Sequence, residues 1–261
     1  MHTIYKLIVS TSLTLSASMA NATVYVQDFD GFSNGTTNLL DGSVIAGNAS
    51  VQNNQLRLTQ NLTGQNSTFW IGSLAESSLG WDAWFDYTIS STHTFAPADG
   101  FSFNYGAISA GQLSNQAEEG YPGVSPNISY EMDTWNITSP EVGPAIAVNG
   151  TDIAGGFING PILNTLDTIS GSIHISLDAA GLTSFTSTGA VTNANFLDLA
   201  SGFNLNDSLN FALAARTGGA FQEVLIDNLR IETKTVPEPA TLVLMGLGLA
   251  GLGFSRRKKA A

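Results

Sequence analysis

The stretch Tyr130–Asn136, YEMDTWN, decides how the chain is read. Taken as a strand, period-two alternation puts Glu131, Asp133 and Trp135 on one face and Tyr130, Met132 and Thr134 on the other. Two carboxylates and an indole then share one surface. Three uses are open to it: a catalytic acid pair, a metal site beside a sugar-stacking ring, or acids held by hydrogen bonds to loop amides.

Similar short runs recur on both sides of this stretch. TVYVQDF, QLRLTQ, STFWIG, WDAWFDYTI, GFSFNYG, AIAVNGT, SIHISLD, SLNFALAA and EVLIDNLRIET are rich in β-branched and aromatic residues. Clusters of Gly, Asn, Ser, Pro and Asp, such as DGSVIAGNAS, TGQNS and GYPGVSPN, separate them. Strands at this spacing predict an all-β fold, an antiparallel β-sandwich. Only NANFLDLA, Asn193–Ala200, reads as a short helix. No repeat or interior linker divides the run, which predicts one domain over 23–234.

The two ends have a different character. Residues 1–22, MHTIYKLIVSTSLTLSASMANA, carry Lys6 ahead of an apolar run that ends in small residues, the pattern of a secretory signal cut after Ala22. Residues 235–261 carry Val236-Pro237-Glu238-Pro239, an apolar stretch from Ala240 to Phe254, and the basic run Arg256, Arg257, Lys258 and Lys259. This tail resembles the PEP-CTERM sorting signal of Gram-negative bacteria. The resemblance implies export, cutting by a membrane-bound exosortase, and release or attachment at the cell surface or matrix. The apolar stretch predicts a hydrophobic sorting helix shorter than the ~20 residues a stable span prefers, and so a transient inner-membrane anchor.

Between Asp28 and Glu238 lie all 21 acidic residues but only Arg57, Arg216, Arg230 and Lys234 of the nine basic ones, so a whole-chain charge of −12 becomes −17 over that stretch. Such a surface repels nucleic acid and anionic lipid while tolerating divalent cations. Without a cysteine in the chain, thiol catalysis, structural zinc on thiolates and disulfide staples are all excluded. The core must supply the stability. Asn-x-Ser/Thr triplets at Asn48, Asn61, Asn66, Asn127, Asn136 and Asn149 arise readily in a chain this rich in Asn, Ser and Thr and receive no role.

Two more segments join YEMDTWN: PADGFSFNYG at Pro97–Gly106 and SLNFALAARTGGAFQEVLIDNLRI at Ser208–Ile231. In this order the three resemble the legume-type lectins and the wider concanavalin-like jelly rolls. The resemblance implies a loop aspartate at Asp99 that accepts hydrogen bonds from a sugar, and a cis peptide between Ala98 and Asp99. It also implies metal-ligating acids at Glu131 and Asp133, and a calcium-coordinating backbone carbonyl at Trp135. The family's calcium- and sugar-binding asparagine falls where this chain has Ile137, with Asn136 displaced by one. Of the later acid and histidine, only Glu141 is present. Lacking an imidazole, the site loses its transition-metal half, and calcium remains.

Some endo-glycanases of this fold carry Glu-x-Asp-x-Glu on the same strand, and retaining hydrolases need a second carboxyl ~5–5.5 Å from the first. Here the third position is Trp135, and Glu118 or Glu119 replaces it only if their loop folds over. No enzyme is therefore expected. Trp70, Trp81 and Trp84 are expected in the core, His93 and His174 as structural or surface residues. Gly218 and Gly219 suit a hairpin turn or the sugar-contacting loop.

The combined expectation is an exported jelly roll that binds glycans without catalysis. Asp99, Trp135, Asn136, Gly218 and Gly219 are expected at the sugar, and Glu131, Asp133, Trp135, Asn136 and Glu141 around calcium. The alternative is a matrix or surface-layer protein whose acids only cap loops.

Overall fold

The computed structural model describes residues 22–92, 97–114, 119–120, 122–135, 142–155, 168–189, 196–199, 203 and 209–235. These residues belong to one compact unit, Ala22–Thr235. The signal expected before residue 22, the sorting helix after 235, His93, Glu118, Asn136 and Glu141 lie outside the described residues.

The strands are β1 (Val24–Gln27), β2 (Val44–Gly47), β3 (Ser50–Gln52), β4 (Gln55–Thr59), β5 (Asn66–Ile71), β6 (Gly80–Ser90), β7 (Gly100–Gly106) and β8 (Asn127–Asp133). They continue with β9 (Gly143–Val148), β10 (Thr151–Gly155), β11 (Thr168–Asp178), β12 (Leu182–Ser187), β13 (Phe196–Leu199), β14 (Asn210–Arg216) and β15 (Glu223–Thr233). One sheet runs β13-β12-β11-β6-β15-β4-β3, with β1 also on β15, and the other runs β10-β9-β8-β7-β14-β5-β2. All recorded pairings are antiparallel. The fold is the all-β antiparallel sandwich that the spacing of the runs predicts.

Alternation explains the core. In β6, Trp81, Ala83, Phe85, Tyr87 and Ile89 are buried while the residues between them are half-buried. Trp81 packs edge-on against Tyr105, Tyr130 and Phe211 of the facing sheet, with ring centroids 5.3 to 5.8 Å apart, which locks the two layers together.

The seven-stranded sheet is also covered on its other side, because every residue of β7, β8 and β9 is buried. The β7–β8 connection lies over this face. Trp70 Nε1–H and Asn210 Nδ2–H both donate to the Ile108 carbonyl at 2.9 Å, Asn66 Nδ2–H to Ser114 O at 2.8 Å, and Ser102 Oγ–H to Glu119 O at 3.1 Å. A Cβ on Gly120 would stand 2.5 Å from Ala215 N, so only glycine lets the backbone settle this closely. Beneath it, Asn104, Ser129, Ser102 and Asn127 are linked by side-chain hydrogen bonds of 2.6 to 2.9 Å, with Asn127 Oδ1 left without a partner.

Four sequence expectations are corrected here. NANFLDLA contains strand β13 rather than a helix: an eight-residue helix is marginal alone, whereas Phe196–Leu199 finds a partner in β12. DGSVIAGNAS, read as a connection, contains β2 and the first residue of β3, short strands at the sheet edges whose Gly, Ala and Ser look like turn composition. YEMDTWN is a strand only as far as Asp133. Trp84 and Trp70 are half-buried and point away from the inter-sheet core that holds Trp81.

Candidate functional site

Strands β7, β8 and β14 meet in register at one end of the seven-stranded sheet, where Gly100 lies opposite Asp133 on one side and Arg216 on the other. Asp99 precedes β7 there, and the Ala98–Asp99 peptide is cis. Its amide donates to Arg216 O at 3.2 Å, and its carbonyl accepts from the Thr134 amide at 3.2 Å. Gly100 has φ +132°, and a Cβ on it would lie 2.2 Å from Met132 O, so the turn into β7 requires glycine. Asp99 is thereby tied to both neighbouring strands through its backbone.

Asp99 is only 7% exposed, and its Oδ2 lies 3.8 Å from Arg216 Nη1. Gly218 borders it: a Cβ there would stand 3.4 Å from Oδ2 and 3.5 Å from Oδ1. The Gly218 loop is anchored by Thr217, which donates through Oγ1–H to Leu62 O at 2.7 Å, accepts at Oγ1 from the Gln65 amide at 2.9 Å, and donates through its own amide to Gln65 O at 3.0 Å. Gly219 has nothing within 4 Å of a Cβ position and faces open space. Asp99 and Gly218 thus adjoin one another, while Gly219 stands apart from the carboxylate. Arg216 was missed in the sequence reading. Its signal was available, as one of four basic residues in the acidic stretch, immediately before Thr-Gly-Gly.

Trp135 is half-buried and donates its amide to Asp133 Oδ1 at 2.7 Å, a turn closed by the aspartate side chain. Thr134 turns inward instead, its Oγ1–H donating to Gln222 Oε1 at 2.7 Å. Asp133 thus caps a loop amide, one of the three uses open to this strand.

Glu131 sits one pleat further into the sheet, between Ser102 and Ala145. Burial pushes its carboxyl up to about 8, and the nearby negative charges of Asp152 and Asp133 add to the rise. Asp152, from β10, is a second residue that sequence reasoning missed. Calcium takes six to eight oxygens. Among the described residues no group of three or more His, Asp or Glu side chains is placed to hold a metal ion. Glu131, Asp133 and the Trp135 carbonyl therefore do not make a calcium cage by themselves, and Asn136 and Glu141 lie outside the described residues. Glu119 belongs to the segment that covers the sheet and is bound to Ser102 through its backbone carbonyl.

Against solved structures, the chain superposes on the metal-free lectin I-B4 of Griffonia simplicifolia with a TM-score of 0.59, 17% identity, and coverage of 82% of this chain and 100% of that one. The domain is a lectin-like jelly roll. The basic winged bean lectin solved with Tn-antigen gives a TM-score of 0.63 at 14% identity, covering 83% of the jelly-roll chain and all of the lectin. The exoplasmic/lumenal domain of VIP36, solved with Ca2+ and Man3GlcNAc, gives 0.58 at 13%, covering 76% and 85%. At such identities the likeness establishes the fold. Residues 235–258 match the PEP-CTERM protein-sorting motif, so the jelly roll is followed by a sorting signal. No curated protein sequence matches the chain.

Proposed function

We propose that the protein is an exported, non-catalytic glycan-binding jelly roll whose sugar site lies at Asp99 and Gly218. The observation that supports this most is the Asp99 carboxylate, fixed through its backbone to two strands and bordered by a residue with no side chain. Such a carboxylate can accept hydroxyl donors from a saccharide without reorganising, and the missing side chain leaves room for a ring. Affinity at a shallow polar site of this kind is millimolar to micromolar, about −4 to −8 kcal/mol.

The PEP-CTERM motif supports export from a Gram-negative cell, a transient inner-membrane anchor, exosortase cutting at the tail, and residence at the surface or in the matrix. The domain limits are proposed as 1–22, 23–234 and 235–261. Calcium would join this reading only with donors beyond the described residues, such as Asn136 and Glu141.

A second reading, a structural matrix protein with a closed site, is favoured by the near-complete burial of Asp99 and its ion pair with Arg216. Glycan-array binding by the full-length chain and its Asp99→Ala variant separates the two. Loss of binding in a folded variant supports the first reading. Equal binding by both proteins would place the glycan away from Asp99, and none by the parent supports the second.

A further inference from the structure

The outer face of the eight-stranded sheet carries a second feature, away from Asp99. Trp84, His174 and Thr186 form one row across β6, β11 and β12, in register with one another. Asp86 and Ser172 form the next row on the same face, continued by Asn228 at the bulge in β15. Between the rows runs a trench of about 310 Å³, floored by the backbone of Phe85 and Ile173. Its size lies at the lower limit for small-molecule sites.

The two walls differ in chemistry. On one side the Trp84 and His174 rings are stacked at 4.8 Å with only 6° between their planes, and the Arg230 guanidinium lies 6.0 Å from the Trp84 centroid. The imidazole is oriented further by Asp82 Oδ1, 3.2 Å from its Nε2. The stacked rings stand together along this side of the trench. On the other side Asp86 Oδ1 accepts from Ser172 Oγ–H at 2.5 Å and Oδ2 from Asn228 Nδ2–H at 2.8 Å. Two fixed donors hold this carboxylate in place, and each of its oxygens keeps a lone pair for another donor.

A rigid apolar wall facing a prearranged acceptor wall suits a ligand with a C–H face and a hydroxyl rim. Asp227 stands opposite Asp86 across β6 and β15, so the polar wall is negative and repels an anionic chain. From this geometry we infer that the trench is a second saccharide site, specific for neutral pyranose chains, with Asp86 accepting ligand hydroxyls and the Trp84–His174 stack packing against ring C–H groups. The inference rests on the trench alone and stands whether or not Asp99 binds a sugar.

Affinity electrophoresis of the full-length chain through gels containing dextran, laminarin, hydroxyethyl cellulose or galactomannan tests it. At least one of these neutral polymers is expected to retard the parent. Thr186→Arg fills the trench from a half-buried position and should weaken that retardation at least tenfold, as should Asp86→Asn and Trp84→Ala, while Asp99→Ala leaves it intact. Thr186→Arg leaves the Trp84–His174 stack in place, so the test survives a misfolded Trp84→Ala. Retardation abolished by Asp99→Ala but kept in Thr186→Arg belongs to the other end of the molecule and overturns the second site. Absence of retardation by all four polymers overturns it too.

Discussion

Arg216 holds Asp99 twice: its carbonyl accepts the Asp99 amide at 3.2 Å and its Nη1 lies 3.8 Å from Oδ2. With the carboxylate nearly buried and the guanidinium about one-third exposed, the ion pair is screened only from one side. Arg216→Ala leaves a buried charge without its partner. The expected loss is about 2 kcal/mol, or roughly 4–8 °C in Tm for a domain of this size. Asp99→Asn in the Arg216→Ala background should recover part of it, since the amide carries no charge. Thermal melts of the four proteins measure the coupling, and additive losses would show that the pair contributes nothing.

Two glycines beside Asp99 should behave oppositely. A Cβ on Gly100 meets the Met132 carbonyl at 2.2 Å at a φ of +132°, and neither backbone can yield cheaply. Gly100→Ala is expected to cost more than about 2 kcal/mol and to lower the yield of folded protein. Gly218→Ala places a methyl in ordinary contact with the Asp99 carboxylate, and Gly218 has no positive φ. It should melt within about 2 °C of the parent yet bind glycan more weakly, because the methyl fills the space proposed for the sugar. Melting curves and array binding on the same preparations decide both.

How far the sequence could be read follows from what each signal depends on. The period-two pattern of WDAWFDYTI settles one buried face per strand, and it placed Trp81 correctly in the core. It could not separate Trp84 from Trp81, since the three-residue spacing that puts them on opposite faces was outweighed by the tendency of indoles to be buried. Asp99 and Gly218 were visible as motif positions at the ends of strands. Arg216 carried a signal of its own, a rare basic residue just before Thr-Gly-Gly, but its pairing with Asp99 did not show, and Asp152 reaches the site only through β10 pairing across the sheet, an order that sequence alone does not give. The same holds for the covering of the seven-stranded sheet: the polar residues of β7 and β8 look solvent-facing until the β7–β8 connection is laid over them.

The two tryptophans of β6 give a direct test of that distinction. Trp81 is fully buried among Phe103, Tyr105, Tyr130 and Phe211, so Trp81→Ala opens a large cavity and should cost about 3–5 kcal/mol. Trp84→Ala removes a half-buried ring and its stack with His174, for about 1 kcal/mol. Urea denaturation should show midpoints that differ several-fold in their displacement. Equal displacements would place Trp84 in the core after all.

Calcium tests the metal reading of Glu131 and Asp133 directly. An ion at a hundredfold excess over its dissociation constant adds about 2.7 kcal/mol to stability, a rise of roughly 5–11 °C in Tm here. Among the described residues no group of three or more His, Asp or Glu side chains is placed to hold a metal ion, and Asn136 and Glu141 lie outside them. Equal melting temperatures in millimolar calcium and in chelator would set that reading aside. A rise of several degrees that Asp133→Ala removes would restore the metal reading of this strand.

Glu131 should make the domain less stable as pH rises. Its carboxyl is pushed from the ordinary 4.5 up to about 8, first by burial and then by the charges of Asp152 and Asp133. The folded state therefore holds the proton more tightly than the unfolded chain. The contribution of this group is fully present below about pH 4.5 and is lost as pH climbs to about 8, at up to about 1.4 kcal/mol per unit. Above pH 8 both states are ionised and the slope vanishes. Glu131→Gln is neutral throughout and fits the same space between Ser102 and Ala145. It is expected to match the parent near pH 5, to exceed it by several kcal/mol at pH 9, and to flatten the profile between. Urea titrations of both proteins at pH 5, 7 and 9 supply the comparison. Parallel profiles would mean that Glu131 is already ionised in the folded protein at pH 5, held by a counter-charge its buried surroundings do not reveal.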